Sequence, residues 1–129
     1  MHNSRHQKAE PVIIIAVSYD SASLNRRMRT LRDVGHVIVP ASSLESALNA
    51  IETGNYHLLL LGATVSAGDR RALAAASRKL HPHSKIISVN PTHSEPLKMA
   101  DQQVIAGDET ALLMAVSALV SGRDGAART

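Results

Sequence analysis

The sequence predicts an α/β domain, a doubly wound sheet of five parallel strands with helices on both faces. Three observations carry this prediction. Short aliphatic runs without polar alternation stand at Val12–Val17 and Leu58–Leu61, and Ile86-Ile87-Ser88-Val89 adds a run broken only by Ser88; strands apolar on both faces belong inside a sheet that is covered on both sides. Between them lie segments with apolar residues at three- and four-residue spacing, opened by Ser or Asp and closed by Gly or Pro, which are helix start and stop signals. The alternation of the two kinds of segment is what a parallel sheet with crossover helices requires.

Composition bounds the rest. The 129 residues are 44% hydrophobic but only 2% aromatic, with Tyr19 and Tyr56 the sole rings of that class, so one domain must build an aliphatic core. Base-stacking nucleic-acid modules need exposed rings, which argues against a nucleic-acid partner. The net charge is +3, and Arg5, Lys8, Arg123 and Arg128 place much of the positive charge in the two tails rather than in a groove. The absence of cysteine excludes disulfides, thiol catalysis and Cys-based zinc sites. Val12–Val17 is too short to span a membrane and no signal peptide precedes it, so no membrane contact and a cytoplasmic location are expected. Residues 1–10 are polar and patternless and read as a disordered N-terminal tail, 11–121 as the domain, and 122–129 as a C-terminal tail.

Taken in order, Pro11 opens the first strand at Val12–Val17. Ser18 to Ser23 is a polar loop, and Leu24, Met28 and Leu31 mark a helix with Ser21 or Ser23 as N-cap and Gly35 as its stop. His36–Val39 is a second strand ended by Pro40. Ser42 and Glu45 form a capping-box pattern for a helix whose inner face is Leu44, Ala47, Leu48 and Ile51, closed by Gly54. The Leu58–Leu61 run is the third, central strand. Asp69 is read as the cap of a third helix with Leu73, Ala76 and Leu80 inward and Arg70, Arg71, Arg78 and Lys79 in solvent. Ile86–Val89 is the fourth strand and Gln103–Ile105 a short fifth. Between them, Pro91 and Pro96 leave room for a short helix or an irregular loop only. Asp108 caps a final helix through Val120.

Beyond these periodicities, particular stretches carry a resemblance. Leu31-Arg32-Asp33-Val34-Gly35-His36-Val37-Ile38, Ala41-Ser42-Ser43-Leu44-Glu45-Ser46-Ala47-Leu48 and Tyr56-His57-Leu58-Leu59-Leu60-Leu61-Gly62 resemble successive motifs of the receiver domain of bacterial response regulators. The match runs from about Val12 to Ser121. It implies a flavodoxin-like, receiver-like fold with the first and third strands flanking the topological switch point, and with the fourth helix of that fold short or missing.

The functional residues of that family do not carry over. Its paired acids after the first strand, which hold magnesium, fall on Ser18 and Tyr19, leaving Asp20 as the loop's one carboxylate. Its phosphoryl-accepting Asp falls on Gly62, its switch Ser/Thr on Asn90, its switch aromatic on Gln103 and its Lys on Ala106. In the loop after the third strand, its Pro and Gly fall on Ser66 and Arg70, with Asp69 kept. One Asp plus carbonyls makes a poor magnesium site. Losing acids and lysine together is expected to leave a neutral pocket, partly filled by Tyr19, without the cost of an unpaired charge.

Other features read blandly. The Gly62–Gly68 loop precedes a helix and so could cradle a phosphate, but it lacks a P-loop lysine and meets Asp69. Asp20 reads as a cap. His81 with His83, and His2 with His6, lack a Cys, Asp or Glu nearby to complete a tetrahedral metal site and read as exposed; His57 reads as an edge-exposed residue. Ser18 has no nucleophile-elbow context.

Two surfaces stand out. The last helix is uncharged from Ala111 to Gly122, with Met114, Ser117, Ala118 and Ser121 outward, and reads as an interface. The first helix displays Arg26, Arg27, Arg29 and Arg32, making Arg26 and Arg29 a second candidate for meeting an acidic partner.

The expected function is therefore a non-phosphorylatable, receiver-like protein-interaction module in bacterial two-component, phosphorelay-type signalling. It would be no enzyme, with no catalytic residue, metal or cofactor, and with a protein partner and a homodimer as candidate assemblies. The alternative is a small-ligand or anion-binding flavodoxin-like domain using Gly62–Gly68.

Overall fold

In the computed structural model, which describes residues 12–91 and 95–128 with side chains through Val120, five parallel strands form one sheet in the order β2-β1-β3-β4-β5. The strands are β1 Ile13–Val17, β2 Val37–Ala41, β3 Leu58–Leu61, β4 Lys85–Asn90 and β5 Gln102–Ile105; the helices are α1 Ser21–Asp33, α2 Leu44–Thr53, α3 Ala67–Leu80 and α4 Glu109–Arg128. The expected N-terminal tail and Pro11 lie outside the described residues.

The apolar strands are buried on both faces as their composition requires. Ile14, Ala16, Leu58, Leu60, Ile87 and Val89 point to one side, where Leu24 and Leu31 of α1 and Leu112 and Val116 of α4 meet them. Ile15, Val17, Leu59, Leu61 and Ile86 point to the other, against Ala47 and Ile51 of α2 and Leu73 and Ala74 of α3. Successive strand side chains alternate between faces, so a run of leucines supplies both cores. Leu59, Leu60 and Leu61 are fully buried, each contributing about 1.5–3 kcal/mol of transfer free energy.

Several boundaries differ from expectation. Asp20, read as a cap of the loop or the first helix, is the N-cap of α1 in place of Ser21 or Ser23, accepting from the Ser23 amide at 2.9 Å. Ser43 and Ser46, not Ser42 and Glu45, make the capping box of α2. Ser66 caps α3, so the helix starts at Ala67 and takes in Gly68, and Asp69 lies in its first turn. In each case a neighbouring hydroxyl or carboxylate of equal chemistry sat a residue or more from the one with the right backbone angles.

Pro40 lies within β2 rather than ending it; β2 is an edge strand, where a missing N–H costs no ladder bond. Leu80 is exposed rather than inward, while Arg70 is buried rather than in solvent. His81 is half-buried: its Nε2 is 2.8 Å from the Ile51 carbonyl and its ring meets Tyr56 edge-on at 4.8 Å. His57 lies on the central strand side, its Nδ1 accepting the Ile13 amide at 3.0 Å. The last helix continues to Arg128, past the expected end at Val120.

Among the described residues no helix stands between β4 and β5. A turn at Leu97–Ala100, closed by the Ala100 amide on the Leu97 carbonyl at 3.1 Å, occupies that connection. Among the described residues, no helix is long and apolar enough to cross a membrane.

Candidate functional site

The carboxyl ends of β1, β3 and β4 meet at the place where the strand order reverses, the usual location of chemistry in such sheets. Two hydrogen-bonded groups form there. In the first, Thr64 Oγ1 accepts the Tyr19 amide at 2.8 Å and lies 3.1 Å from Ser18 Oγ, tying the β1–α1 loop to the β3–α3 loop. Ser18 Oγ also donates to the Asp20 carbonyl at 3.2 Å. The Gly62 amide donates to the Val17 carbonyl at 2.8 Å. A Cβ on Gly62 would lie 2.7 Å from that same carbonyl oxygen, so the two strands approach here more closely than a side chain permits.

The second group centres on Arg70. Its Nε donates to the Val65 carbonyl at 3.0 Å, and Nη1 donates to Asn90 Oδ1 at 2.7 Å and Ser88 Oγ at 3.1 Å. Asn90 passes the network on: its Nδ2 donates to Gln103 Oε1 at 2.7 Å, while its carbonyl accepts the Ala106 amide at 2.8 Å. Gln103 then clasps Leu97, donating from Nε2 to the carbonyl at 2.6 Å and accepting the amide at 3.3 Å. Of the residues read from sequence, Ser18, Tyr19 and Gly62 thus fall in the first group, and Asn90, Gln103 and Ala106 in the second.

The Asp20 side chain belongs to neither. It is exposed, with its carboxylate turned to the Ser23 amide and hydroxyl, and those hydrogen bonds hold its pKa below the ordinary carboxylate value, helped by Arg26. Tyr19 does not fill the pocket as expected. Its ring packs on the α2/α3 side of the sheet and its hydroxyl donates to Asp69 Oδ2 at 2.8 Å. Burial, then the Asp69 hydrogen bond and charge, push its pKa up from 10.0 to about 12.

The expected neutrality also fails. Two arginines flank the site, both missed by the sequence reading because helix arginines ordinarily face water. Arg70 is 6% exposed and Arg27 is 9% exposed, and burial lowers the Arg70 pKa from its ordinary value. Thr64, the hinge of the first group, was also missed; its only signal was a hydroxyl in the loop beside Gly62.

These residues do not fit a magnesium ion. A hard dication wants carboxylate oxygens, whereas Asp20 and Asp69 are committed elsewhere and the nearest buried charges are guanidinium groups. Ser18 Oγ is bonded to a hydroxyl and a carbonyl rather than to a general base. In the Gly62–Gly68 loop the Gly62 amide donates to the Val17 carbonyl and the Val65 amide to the Gly62 carbonyl, and beyond it the Asp69 amide donates to Ser66 Oγ.

No family model matches the sequence, and no curated protein matches it. Solved structures do. The chain is similar to a CheY-like response regulator receiver domain from Methanospirillum hungatei, with a TM-score of 0.79 at 20% identity, covering 90% of this chain and 98% of that one. It is similar to the response regulator TrrA of Thermotoga maritima in its Mg(2+)-BeF complex, with a TM-score of 0.75 at 25% identity, covering 84% and 98%. It is also similar to the signal receiver domain of an HD domain-containing protein from Pseudomonas fluorescens, with a TM-score of 0.76 at 17% identity, covering 90% and 99%. The fold is that of CheY-like receiver domains.

Proposed function

We propose that this chain is a receiver-like protein-interaction module of bacterial two-component, phosphorelay-type signalling that does not accept a phosphoryl group and catalyses no reaction. The carrying observation is Gly62. At the position where the receiver family has its acceptor Asp, there is no side chain, and the backbone packing against Val17 leaves no room for one. Ser18 and Tyr19 in place of the paired acids remove the carboxylates that would hold magnesium there.

Output then rests on surface recognition, and the uncharged face of α4 supports this. Met114 is 67% exposed, Ser117 and Ala118 are exposed beside it, and Ile105 at the end of β5 adds an apolar side chain that is 54% exposed. Ser121, the fourth residue of the face, lies beyond the described side chains. We assign this face to a protein partner or a second copy, in the cytoplasm, with Arg26 and Arg29 on α1, both exposed, as the second candidate surface.

Incubation with acetyl phosphate and magnesium, followed by intact-mass measurement, tests the proposal. No mass gain is expected; addition of one phosphoryl group would refute it.

A further inference from the structure

On the α1/α4 side of the sheet, beside the first hydrogen-bonded group, lies a cavity of about 340 Å³ whose walls include Ser18, Ser23, Arg26, Arg27, Thr64 and Glu109. Its polar lining carries two guanidinium groups against one carboxylate. The buried member, Arg27, is poorly satisfied. Its Nη2 lies 3.6 Å from Glu109 Oε2, beyond hydrogen-bond length. Both Arg27 Nε and Glu109 Oε1 are buried without a hydrogen-bond partner. A bare buried guanidinium N–H carries a desolvation penalty that an oxyanion accepting from it would relieve, while the carboxylate oxygen would gain by turning to water.

We propose that this cavity binds a small phosphate-type oxyanion, held by Arg27 with Arg26 at the rim. The proposal deepens the reading above and rests on it: the pocket holds its anion reversibly instead of taking a phosphoryl group covalently. A guanidinium fork matches two oxygens of a tetrahedral oxyanion, and in a buried setting such a charge-assisted pair is among the stronger polar contacts. Thr64 adds a hydroxyl: with Ser18 Oγ donating to the Asp20 carbonyl, Thr64 supplies the hydrogen of the Ser18–Thr64 contact, and an oxyanion would accept it in place of Ser18 Oγ. The volume is at the small end for ligand cavities and accommodates phosphate with a few attached atoms.

Glu109 is the carboxylate that would compete with the anion for Arg27. Its side chain is 39% exposed, so it can turn to water when an oxyanion takes Arg27. Binding thus exchanges the α1–α4 ion pair for a pair between α1 and ligand.

The full ¹⁵N-labelled chain is titrated with inorganic phosphate at constant ionic strength, with glycerol 3-phosphate in parallel to separate free phosphate from a phosphate ester, and with chloride as the blank. Saturable amide shifts at Ser18–Arg27, Ala63–Thr64 and Ala106–Glu109 are expected with at least one probe. Arg27→Lys should weaken binding about tenfold, equivalent to about 1.4 kcal/mol. The exposed-site variant Arg26→Gln should weaken it about threefold, and Glu109→Gln, which removes the competing carboxylate, should tighten it severalfold. The gain in Glu109→Gln is the sign that no merely structural ion pair would give. Absence of saturable shifts with both probes, or dissociation constants unchanged in Arg26→Gln and Glu109→Gln, overturns the proposal. The acetyl phosphate measurement is independent: a covalent mass gain would refute the parent reading, whereas a failed titration refutes only the anion site.

Discussion

Arg70 Nη1 stands 2.7 Å from Asn90 Oδ1, fastening a cation of α3 to the carboxyl end of β4. No carboxylate joins them. The guanidinium is solvated instead by the Val65 carbonyl, the Ser88 hydroxyl and the Asn90 amide, and Ser88 itself donates to Asn90 Oδ1 at 2.6 Å. Removing Arg70 therefore takes the Nε donor from the Val65 carbonyl and leaves Asn90 Oδ1 with the Ser88 hydroxyl.

Arg70→Ala should destabilise the fold by about 2–4 kcal/mol, from lost packing plus unsatisfied buried groups. Arg70→Lys should recover little, because an ammonium cannot present the planar fork that reaches Val65 and Asn90 together. Arg71→Ala, at the exposed neighbour, should stay within about 0.5 kcal/mol of the parent. Urea unfolding with unchanged slopes measures all three; a parent-like Arg70→Ala midpoint would contradict the buried network.

Restoring a side chain at Gly62 should not restore receiver chemistry. With a Cβ 2.7 Å from the Val17 carbonyl oxygen, Gly62→Ala should cost about 1–3 kcal/mol through backbone displacement. Gly62→Asp should cost at least as much and still gain no mass from acetyl phosphate, since Ser18 and Tyr19 supply no carboxylate for a metal. Thermal unfolding and intact mass together check it.

The tyrosines give a spectroscopic test, because the chain has two and no tryptophan. Tyr19 is pushed up from 10.0 to about 12, and burial raises Tyr56 as well, against the opposing Ser77 hydrogen bond. A phenolate absorbance titration of the folded protein should therefore show little ionisation at pH 10, where an unfolded tyrosine is half ionised. The linked stability has a definite sign: the folded state holds a proton that the unfolded state has lost. Stability from this source is complete below pH 10 and falls as pH rises toward about 12. Tyr19→Phe should flatten that fall; an unchanged slope would show that the Asp69 contact does not form in solution.

Met114→Glu should weaken association of the chain with itself or its partner while leaving the fold intact, since Met114 is 67% exposed and a charge is tolerated at a solvent-facing position. A twofold contact would place the substitution in the interface twice. Sedimentation over a concentration series reads the effect. Unchanged association would move the interface to Arg26 and Arg29.

How much of this was legible depended on how local the cause was. Leu58–Leu61 announced a central strand because apolarity on both faces is written in consecutive residues, and Gly35 announced a helix end because its positive φ of 98° favours glycine. Capping was read one or more residues out at Ser42 and Asp69, since backbone angles choose among adjacent polar residues and composition does not. Arg70 and Arg27 were illegible. Arg70 is held by Ser88 and Asn90, eighteen and twenty residues downstream at the carboxyl end of β4, and Arg27 faces Glu109 on the far helix, and no local pattern separates such an arginine from a solvated one.

The grip of Gln103 on Leu97 has a kinetic consequence. Its amide side chain offers one donor and one acceptor to the two backbone groups of Leu97, the same pair of bonds a neighbouring strand would offer. Where a crossover helix would hold the connection by a broad buried face, the segment before β5 buries Leu97 and is otherwise fastened by polar contacts: Gln103 on Leu97, Arg78 on the Met99 carbonyl at 2.7 Å and on Asp101 at 2.9 Å, and Asp101 on the Ile86 amide at 2.8 Å. A segment held largely by polar contacts is expected to open locally, so the Leu97 amide should exchange its hydrogen ahead of the Leu59 and Leu60 amides, which wait for the whole sheet; an exchange series followed by NMR reads the order. The protein would then keep two clocks, a fast one beside β5 and a slow one at its centre.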